Sequence, residues 1–577
     1  MGEPRNILFI MFDQLRWDYL SCYGHPALHT PNIDRFAEMG VRFDRAFIQS
    51  PLCGPSRMST YTGRYVHSHG ASWNKVPLKV GELTMGDHLR AAGMGCYLVG
   101  KTHMEADVEG MRRLGLEPDS LIGVRVAECG FDVFERDDGM RPEGADGFYD
   151  DRAALKYNEY LRAKGYASDN PWHDYANSSV DDAGNVLSGW FLSNADAAAN
   201  IREDDSETPY LTRRGIEFME QHKDQPWCCH LSYIKPHWPY IVPAPYAGMY
   251  GPDDFLPPIR SLAERETDHP IFKGLQSAPV GKAFSNDDVR AKVLSAYMGL
   301  IKQCDDQMGV LFDYLQVSGR LNDTLIVITS DHGDFLGDHW LGEKSFFFDS
   351  SIKIPLIIYD PSSAADTTRG TVSDALVESI DLLPTFIETA GRDPKARDHI
   401  LEGHSLLPLL RGGPPPERDY VVCEYDFAAI PLAEKLGLDP RDARMFMVAD
   451  KKWKLIHFES GHRPMLFDLE NDPDELADLG ADNQHAHIID QMYDKLFAWT
   501  RRPAARTTIS NQALRKLRTA PSRTGVLIGV VEETDAPVEQ TLHYVGRTVP
   551  DMRERPETLK HKHNHPPARN NAGSEVK

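Results

Sequence analysis

The hydrophobic pattern divides most of the chain into alternating strands and helices. Ile7 to Phe12 is an unbroken apolar run ending in Asp13-Gln14, the signature of a central strand buried on both faces. Gly95 to Val99, Trp227 to Ile234, Leu325 to Thr329 and Ile354 to Tyr359 read as further strands. Between them the period changes to that of a helix. Pro31 or Asn32 opens one that turns Ile33, Phe36 and Ala37 inward and stops at Gly40, as glycine does past a last turn. Others cover Ser56 to Arg64, Leu83 to Ala92, Leu211 to His222, Val289 to Ser318 and Ser379 to Ala390. In Val289 to Ser318, Ala296, Leu300, Ile301, Met308, Leu311 and Leu315 share one face. Such alternation predicts one large α/β domain over residues 1–411 with a mostly parallel central sheet sandwiched by helices. Residues 105–205 are acidic, rich in Gly, Asp and aromatics, and weakly periodic, and read as an insertion or lid over the sheet. Gly412 to Pro416 marks a boundary. Beyond it Tyr420 to Tyr425, Met445 to Ala449 and Trp453 to Phe458 read as antiparallel strands under a helix from Ala486 to Trp499, a small α+β domain over 417–500.

Composition narrows the class. With 577 residues and a net charge of -23, the chain lacks the clustered cations that nucleic-acid phosphates require. An anionic substrate would need locally focused positive charge. The eight cysteines, Cys22, Cys53, Cys96, Cys129, Cys228, Cys229, Cys304 and Cys423, have no disulfide or zinc spacing. No stretch has the length of a membrane span, and the N-terminus leads straight into the first strand without a signal pattern. Together these predict a cytoplasmic protein with reduced thiols and no membrane partner. Residues 501–577 differ, with 14 Lys and Arg against 8 Asp and Glu. A basic arm on an acidic body predicts packing on a neighbouring subunit, hence a homo-oligomer, although a frayed tail accounts equally for residues beyond Pro550. In that tail His561, His563 and His565 read as solvated.

Polar residues gather at the ends of the predicted elements: Asp13-Gln14, Cys53 and Arg57, Lys101 and His103, His237, Asp331-His332, and Lys344 in the loop after the last of these. Carboxyl ends of strands are where α/β sheets bind ligands. Pro55 suits a first helical turn, which puts Cys53 at a helix N-terminus where unpaired amides favour an anion. Arg57, about one turn on, returns a fork of donors suited to tetrahedral oxyanions.

The run Cys53-Gly54-Pro55-Ser56-Arg57 resembles the C-x-P-x-R pattern of sulfatases, in which the cysteine is oxidised after synthesis to formylglycine. Gly63-Arg64-Tyr65, Gly100-Lys101-Thr102-His103, Pro236-His237-Trp238-Pro239 and Ser330-Asp331-His332-Gly333 follow in the family's order, after a T-P-N-x-D segment at Thr30 to Asp34. The resemblance implies an alkaline-phosphatase-like fold with a small C-terminal domain. It implies one divalent cation, Ca2+ or Mn2+, held by Asp13, Gln14, Asp331 and His332 together with the nucleophile made from Cys53. It also implies that the aldehyde hydrates to a diol, one hydroxyl of which, with Arg57, attacks sulfur or phosphorus. His237 and Lys344 would neutralise and protonate the leaving oxygen, and His103, supported by Lys101, would take the proton of the second hydroxyl as the transferred group leaves.

Two departures refine this. Common sulfatases carry two adjacent aspartates and a late Asp-Asn. Asp13-Gln14 and Asp331-His332 are instead similar to the phosphonate monoester hydrolase branch, which also carries a C-terminal arm and an asparagine matched here by Asn74, a candidate substrate contact. That branch lacks the lysine and histidine kept here as Lys101 and His103, which lean the chain towards sulfate esters. The expected activity is hydrolysis of aryl sulfate monoesters, with phosphonate monoesters and phosphodiesters as additional substrates, after maturation by a formylglycine-generating enzyme. The reverse ranking is the alternative, and a catalytically dead sulfated-ligand binder a second one. Asp334, Asp338 and His339 read as loop-supporting, and Lys235 as a surface charge.

Overall fold

The computed structural model describes residues 3–117, 120–139, 156–502, 507–519 and 532. Its large sheet contains β1 (Asn6–Asp13), β2 (Val41–Phe47), β3 (Gly95–Gly100), β4 (Asp132–Arg136), β7 (Trp227–Pro236), β8 (Thr324–Ser330), β9 (Lys353–Tyr359), β10 (Thr371–Ser373) and β11 (Val377–Glu378), with a separate hairpin of β5 (Ser178–Val180) and β6 (Val186–Ser188). The strand order is β10-β2-β9-β8-β1-β7-β3-β4, with β11 beside β2. Among the described strands of this sheet only β9 runs against its neighbours; the other pairings are parallel. The fold is therefore the mostly parallel α/β architecture that the alternation predicts.

The apolar run of β1 explains its central place. Ile7, Phe9 and Met11 enter one hydrophobic core, and Leu8, Ile10 and Phe12 enter the other, on the opposite face of the sheet. The Asp287–Val317 helix covers the second face with Val293, Leu294, Met298, Ile301, Met308 and Leu311. Because β8, β1, β7 and β3 are consecutive in the sheet, their carboxyl ends lie side by side. Asp331, Asp13, His237 and Lys101 follow or close those four ends.

The stretch expected to be an insertion contributes β4 to the sheet edge, which corrects that reading for Asp132–Arg136. Its alternation is masked by charges that satisfy an edge strand: Asp132 pairs with Arg125 at 2.6 Å and Glu135 with Arg214 at 2.9 Å. The C-terminal sheet, β12 (Val421–Asp426), β13 (Arg444–Ala449), β14 (Trp453–Phe458) and β15 (Met465–Asp468), is antiparallel throughout. One face packs under the Ala486–Thr500 helix through Val422, Val448, Leu455 and Leu466, and the other joins the main core through Cys423, Met447 and Ile456.

Lys454 of β14 is fully buried and ties this sheet to the loop carrying Lys344. Its Nζ lies 2.7 Å from Asp349 Oδ1 and 2.6 Å from Glu475 Oε1, and donates to the Phe347 carbonyl at 3.1 Å. Lys454→Met, which leaves two carboxylates without their cation, should cost about 3–5 kcal/mol in a denaturant titration.

Glu424 offers a pH test. Burial pushes its carboxyl from 4.5 up to about 8, against the His67 amide it accepts at 2.8 Å and the nearby Arg502. The folded chain then binds more protons than the unfolded one across that window, so this group's stabilising contribution is lost as pH rises through about 8. Glu424→Gln should match the parent below pH 4.5 and be the more stable protein above pH 8 in parallel unfolding series.

From Ile509 the chain forms a separate unit, described over the Asn511–Thr519 helix. The β-prone Gly525 to Val531 and the three tail histidines lie outside the described residues. Among the described residues, no helix is long and apolar enough to cross a membrane.

Candidate active site

Cys53 begins the helix Cys53–Thr62, whose residues are all buried, directly over the carboxyl ends of β1 and β8. Its Sγ lies 2.9 Å from His332 Nε2 and 3.8 Å from Asp13 Oδ1. One ligand atom each from Asp13, Cys53, Asp331 and His332 falls within 4.8 Å of the others. Asn74, half-buried, accepts the Gly54 amide at 2.9 Å through Oδ1, so its side chain caps the first turn beside the cysteine.

Each carboxylate divides its oxygens. Asp13 Oδ2 takes Lys101 Nζ at 2.5 Å and Arg57 Nη2 at 3.4 Å, leaving Oδ1 towards Cys53 and His332. Asp331 Oδ2 takes Arg57 Nε at 2.8 Å, while Oδ1 accepts the backbone N–H of Gln14 at 3.1 Å. Arg57 is fixed further by Ser232 Oγ at 2.8 Å and the Lys101 carbonyl at 3.0 Å. His332 engages the Gly333 carbonyl through Nδ1 at 2.8 Å, which turns Nε2 to the centre. Gln14, with φ 65°, donates its amide to Tyr240 and Asp334 and accepts Lys344 Nζ at 2.9 Å on Oε1. The two carboxylates and the imidazole nitrogen, gathered around Cys53 and oriented by outer hydrogen bonds, form a cluster that suits a divalent cation.

Electrostatics follow from burial and crowding. Burial and Cys53 raise the Asp13 carboxyl, but Lys101, His237 and Arg57 outweigh them and hold it well below the carboxylate range. Burial likewise pushes the Cys53 thiol up, and Lys344, His332, Lys101 and a hydrogen bond from His103 reverse this. Burial also opposes charge on Lys344, yet Cys53, Asp13 and Glu343 raise it. Arg57, Lys101 and Lys344 thus concentrate positive charge in an otherwise acidic chain, as an anionic substrate requires. His237 differs: burial lowers it to about 3. Its Nδ1 faces the Trp238 carbonyl at 2.7 Å and its Nε2 lies 3.1 Å from Lys344 Nζ, so the neutral ring donates to the carbonyl and accepts from the ammonium.

The structure brings Asp13, Gln14, Cys53, Arg57, Lys101, His237, Asp331, His332 and Lys344 together, with His103 half-buried at the same edge and Asn74 on the Cys53 turn. Lys235 corrects the sequence reading: it is buried, and its Nζ donates to Asn177 Oδ1 at 2.8 Å and to the Pro239 carbonyl at 3.1 Å. Asp138 was not singled out from sequence. Its Oδ1 accepts the Thr102 and His103 amides, both at 3.1 Å, and holds His103 at φ 52°. The signal was a strand, β4, ending at Arg136 and followed by Asp137-Asp138, hidden in the weakly periodic stretch.

A buried cysteine at a helix N-terminus, facing paired carboxylates and a histidine at parallel strand ends, fits a hydrolase centre of the alkaline phosphatase superfamily. The chain belongs to the sulfatase family: the Sulfatase family model matches residues 5–120 and 155–392, and that of the N-sulphoglucosamine sulphohydrolase C-terminal region matches residues 337–502. It is 30% identical to the multifunctional alkaline phosphatase superfamily protein PehA of Trinickia caryophylli, over 87% of this chain and 96% of that one. An arylsulfatase of Clostridium perfringens is 27% identical, over 84% and 92% of the two chains. Among solved structures, a phosphonate monoester hydrolase from Silicibacter pomeroyi superposes with a TM-score of 0.75 at 28% identity, covering 88% of this chain and 98% of that one. A phosphonate monoester hydrolase of Agrobacterium radiobacter gives 0.73 at 28% identity, covering 87% and 96%.

Proposed function

We propose that the chain is a formylglycine-dependent hydrolase of sulfate monoesters that also accepts phosphonate monoesters and phosphodiesters. The observation that carries this reading is Lys101 and His103 at the Cys53 nucleophile, on a centre that also holds Gln14 and His332. When present, hydrated formylglycine supplies a nucleophilic oxygen and, through its second hydroxyl, a route for the transferred group to leave, while a Ca2+ or Mn2+ ion on Asp13, Gln14, Asp331 and His332 supplies positive charge.

The chain's own residues do the rest. Arg57, bound to both carboxylates, faces the nucleophile with a fixed cation. In this reading Lys344 neutralises and protonates the leaving oxygen, and the neutral His237 accepts a hydrogen bond from that ammonium. General acid help of this kind is worth about 10²–10⁴-fold. His103 takes a proton on the Cys53 side, with Lys101 keeping Asp13 ionised. The same reading includes maturation by a formylglycine-generating enzyme and a cytoplasmic homo-oligomer assembled through residues 501–577.

The reverse ranking, phosphonate monoesters first, is favoured by Gln14 and His332 and by the likeness to the phosphonate monoester hydrolases. Catalytic efficiencies on nitrophenyl sulfate and a nitrophenyl phosphonate decide between them, and a chain far better on the phosphonate overturns the ordering. Lys101→Ala and His103→Ala should each depress sulfate hydrolysis more than phosphonate hydrolysis; equal losses would remove their assigned roles.

A further inference from the structure

We infer that Trp238 and Trp190 form an aromatic wall that receives a planar aryl leaving group, which makes them specificity-determining residues of the hydrolase proposed above. Trp238 follows His237, and their ring centroids are 4.2 Å apart. Lys344 Nζ lies 6.0 Å from the centroid of the Trp238 ring. A group bonded to an oxygen held by Lys344 therefore has this indole as a near neighbour. The indole N–H of Trp238 is buried and has no hydrogen-bond partner among the described residues.

Trp190 continues the wall outward. It meets Trp238 edge to face, at 5.1 Å and 63°, and rests on the buried Trp172 at 6.1 Å. It remains 39% exposed, and the next residue, Phe191, is 66% exposed. Aromatic surface left open one ring away from Lys344, rather than packed away, is what a ring-shaped ligand would cover.

The wall is held rigidly. Gly189 passes so close to the Trp238-Pro239 segment that a Cβ there would stand 2.5 Å from the Asn177 carbonyl oxygen and 3.2 Å from Pro239 Cβ. Its amide bonds that same Asn177 carbonyl at 3.0 Å. The buried Lys235 closes the clamp, joining Asn177 to the Pro239 carbonyl. This gives the unexpected burial of Lys235 a purpose: it fixes the segment carrying Trp190 against the strand end carrying His237.

The test compares Trp190→Ala and Trp190→Phe with the parent, using 4-nitrophenyl sulfate as substrate and ethyl sulfate as competing ligand. Trp190→Ala should raise KM for the aryl ester roughly 3–10-fold, the size of one good aromatic contact, with kcat and the inhibition constant of ethyl sulfate unchanged. Trp190→Phe should restore most of the loss. An unchanged KM, or equal weakening of the aryl and ethyl esters, overturns the wall. Calorimetric titration with 4-nitrophenol reads the wall without turnover. A parent that binds the phenol but hydrolyses no ester would sink the hydrolase reading alone, whereas equal phenol affinity in Trp190→Ala would sink the wall alone.

Discussion

Cys53→Ser is expected to release one equivalent of nitrophenol per active site and then stall, with steady turnover down by about 10³-fold or more. The serine oxygen would stand where Sγ now lies, 2.9 Å from His332 Nε2 and close to Asp13 Oδ1, so attack remains open to it. What it lacks is a second hydroxyl through which the transferred group can depart, and water would have to attack sulfur directly. Cys53→Ala should give neither burst nor turnover. Because the site is buried and serine is close to cysteine in volume, melting temperature should stay near that of the parent, separating chemistry from folding. A Cys53→Ser protein that cycles at the parent's rate would mean that the ordinary side chain, not its oxidised form, carries the reaction.

Asp331→Asn should be nearly as damaging, for two reasons that can be measured separately. It removes one of the two carboxylates of the candidate cation site, so affinity for Mn2+ or Ca2+ should fall by about 10²-fold or more, beyond the ~10–100-fold that losing a supporting hydrogen bond costs. It also removes the charge 2.8 Å from Arg57 Nε, leaving that buried guanidinium with Asp13 at 3.4 Å as its carboxylate partner. The variant should therefore bind metal weakly by calorimetry and stay slow when saturated with metal. Full recovery of activity at high metal would show that Arg57 needs nothing from Asp331, and unchanged metal affinity would take Asp331 out of the ligand set.

The chemistry was more legible than the walls around it. Asp13, Cys53, His237 and Asp331 stand next to strong local signals, an apolar run that stops or a proline at a first helical turn, and those signals fix both strand and strand end. β1 is readable because both faces are buried, which leaves no polar position to confuse the pattern. β4 is not, because an edge strand carries Asp132 and Glu135 in ion pairs and so looks like loop. Asp138 went unnoticed with it, although its contacts to the Thr102 and His103 amides depend only on where β4 ends. Lys235 was misread for a different reason. A lysine next to a candidate site histidine reads as surface unless its partners are known, and those partners, the Asn177 side chain and the Pro239 carbonyl, belong to a distant segment and to a turn. Pairing across the sheet, not propensity along it, decides such cases.

Mass spectrometry of the peptide containing Cys53, from protein produced together with a formylglycine-generating enzyme, tests the central claim most directly. The account predicts a peptide carrying an aldehyde that reacts with hydrazines, with specific activity rising in proportion to its fraction across preparations. A fully active preparation in which every copy of that peptide holds an intact thiol would contradict it.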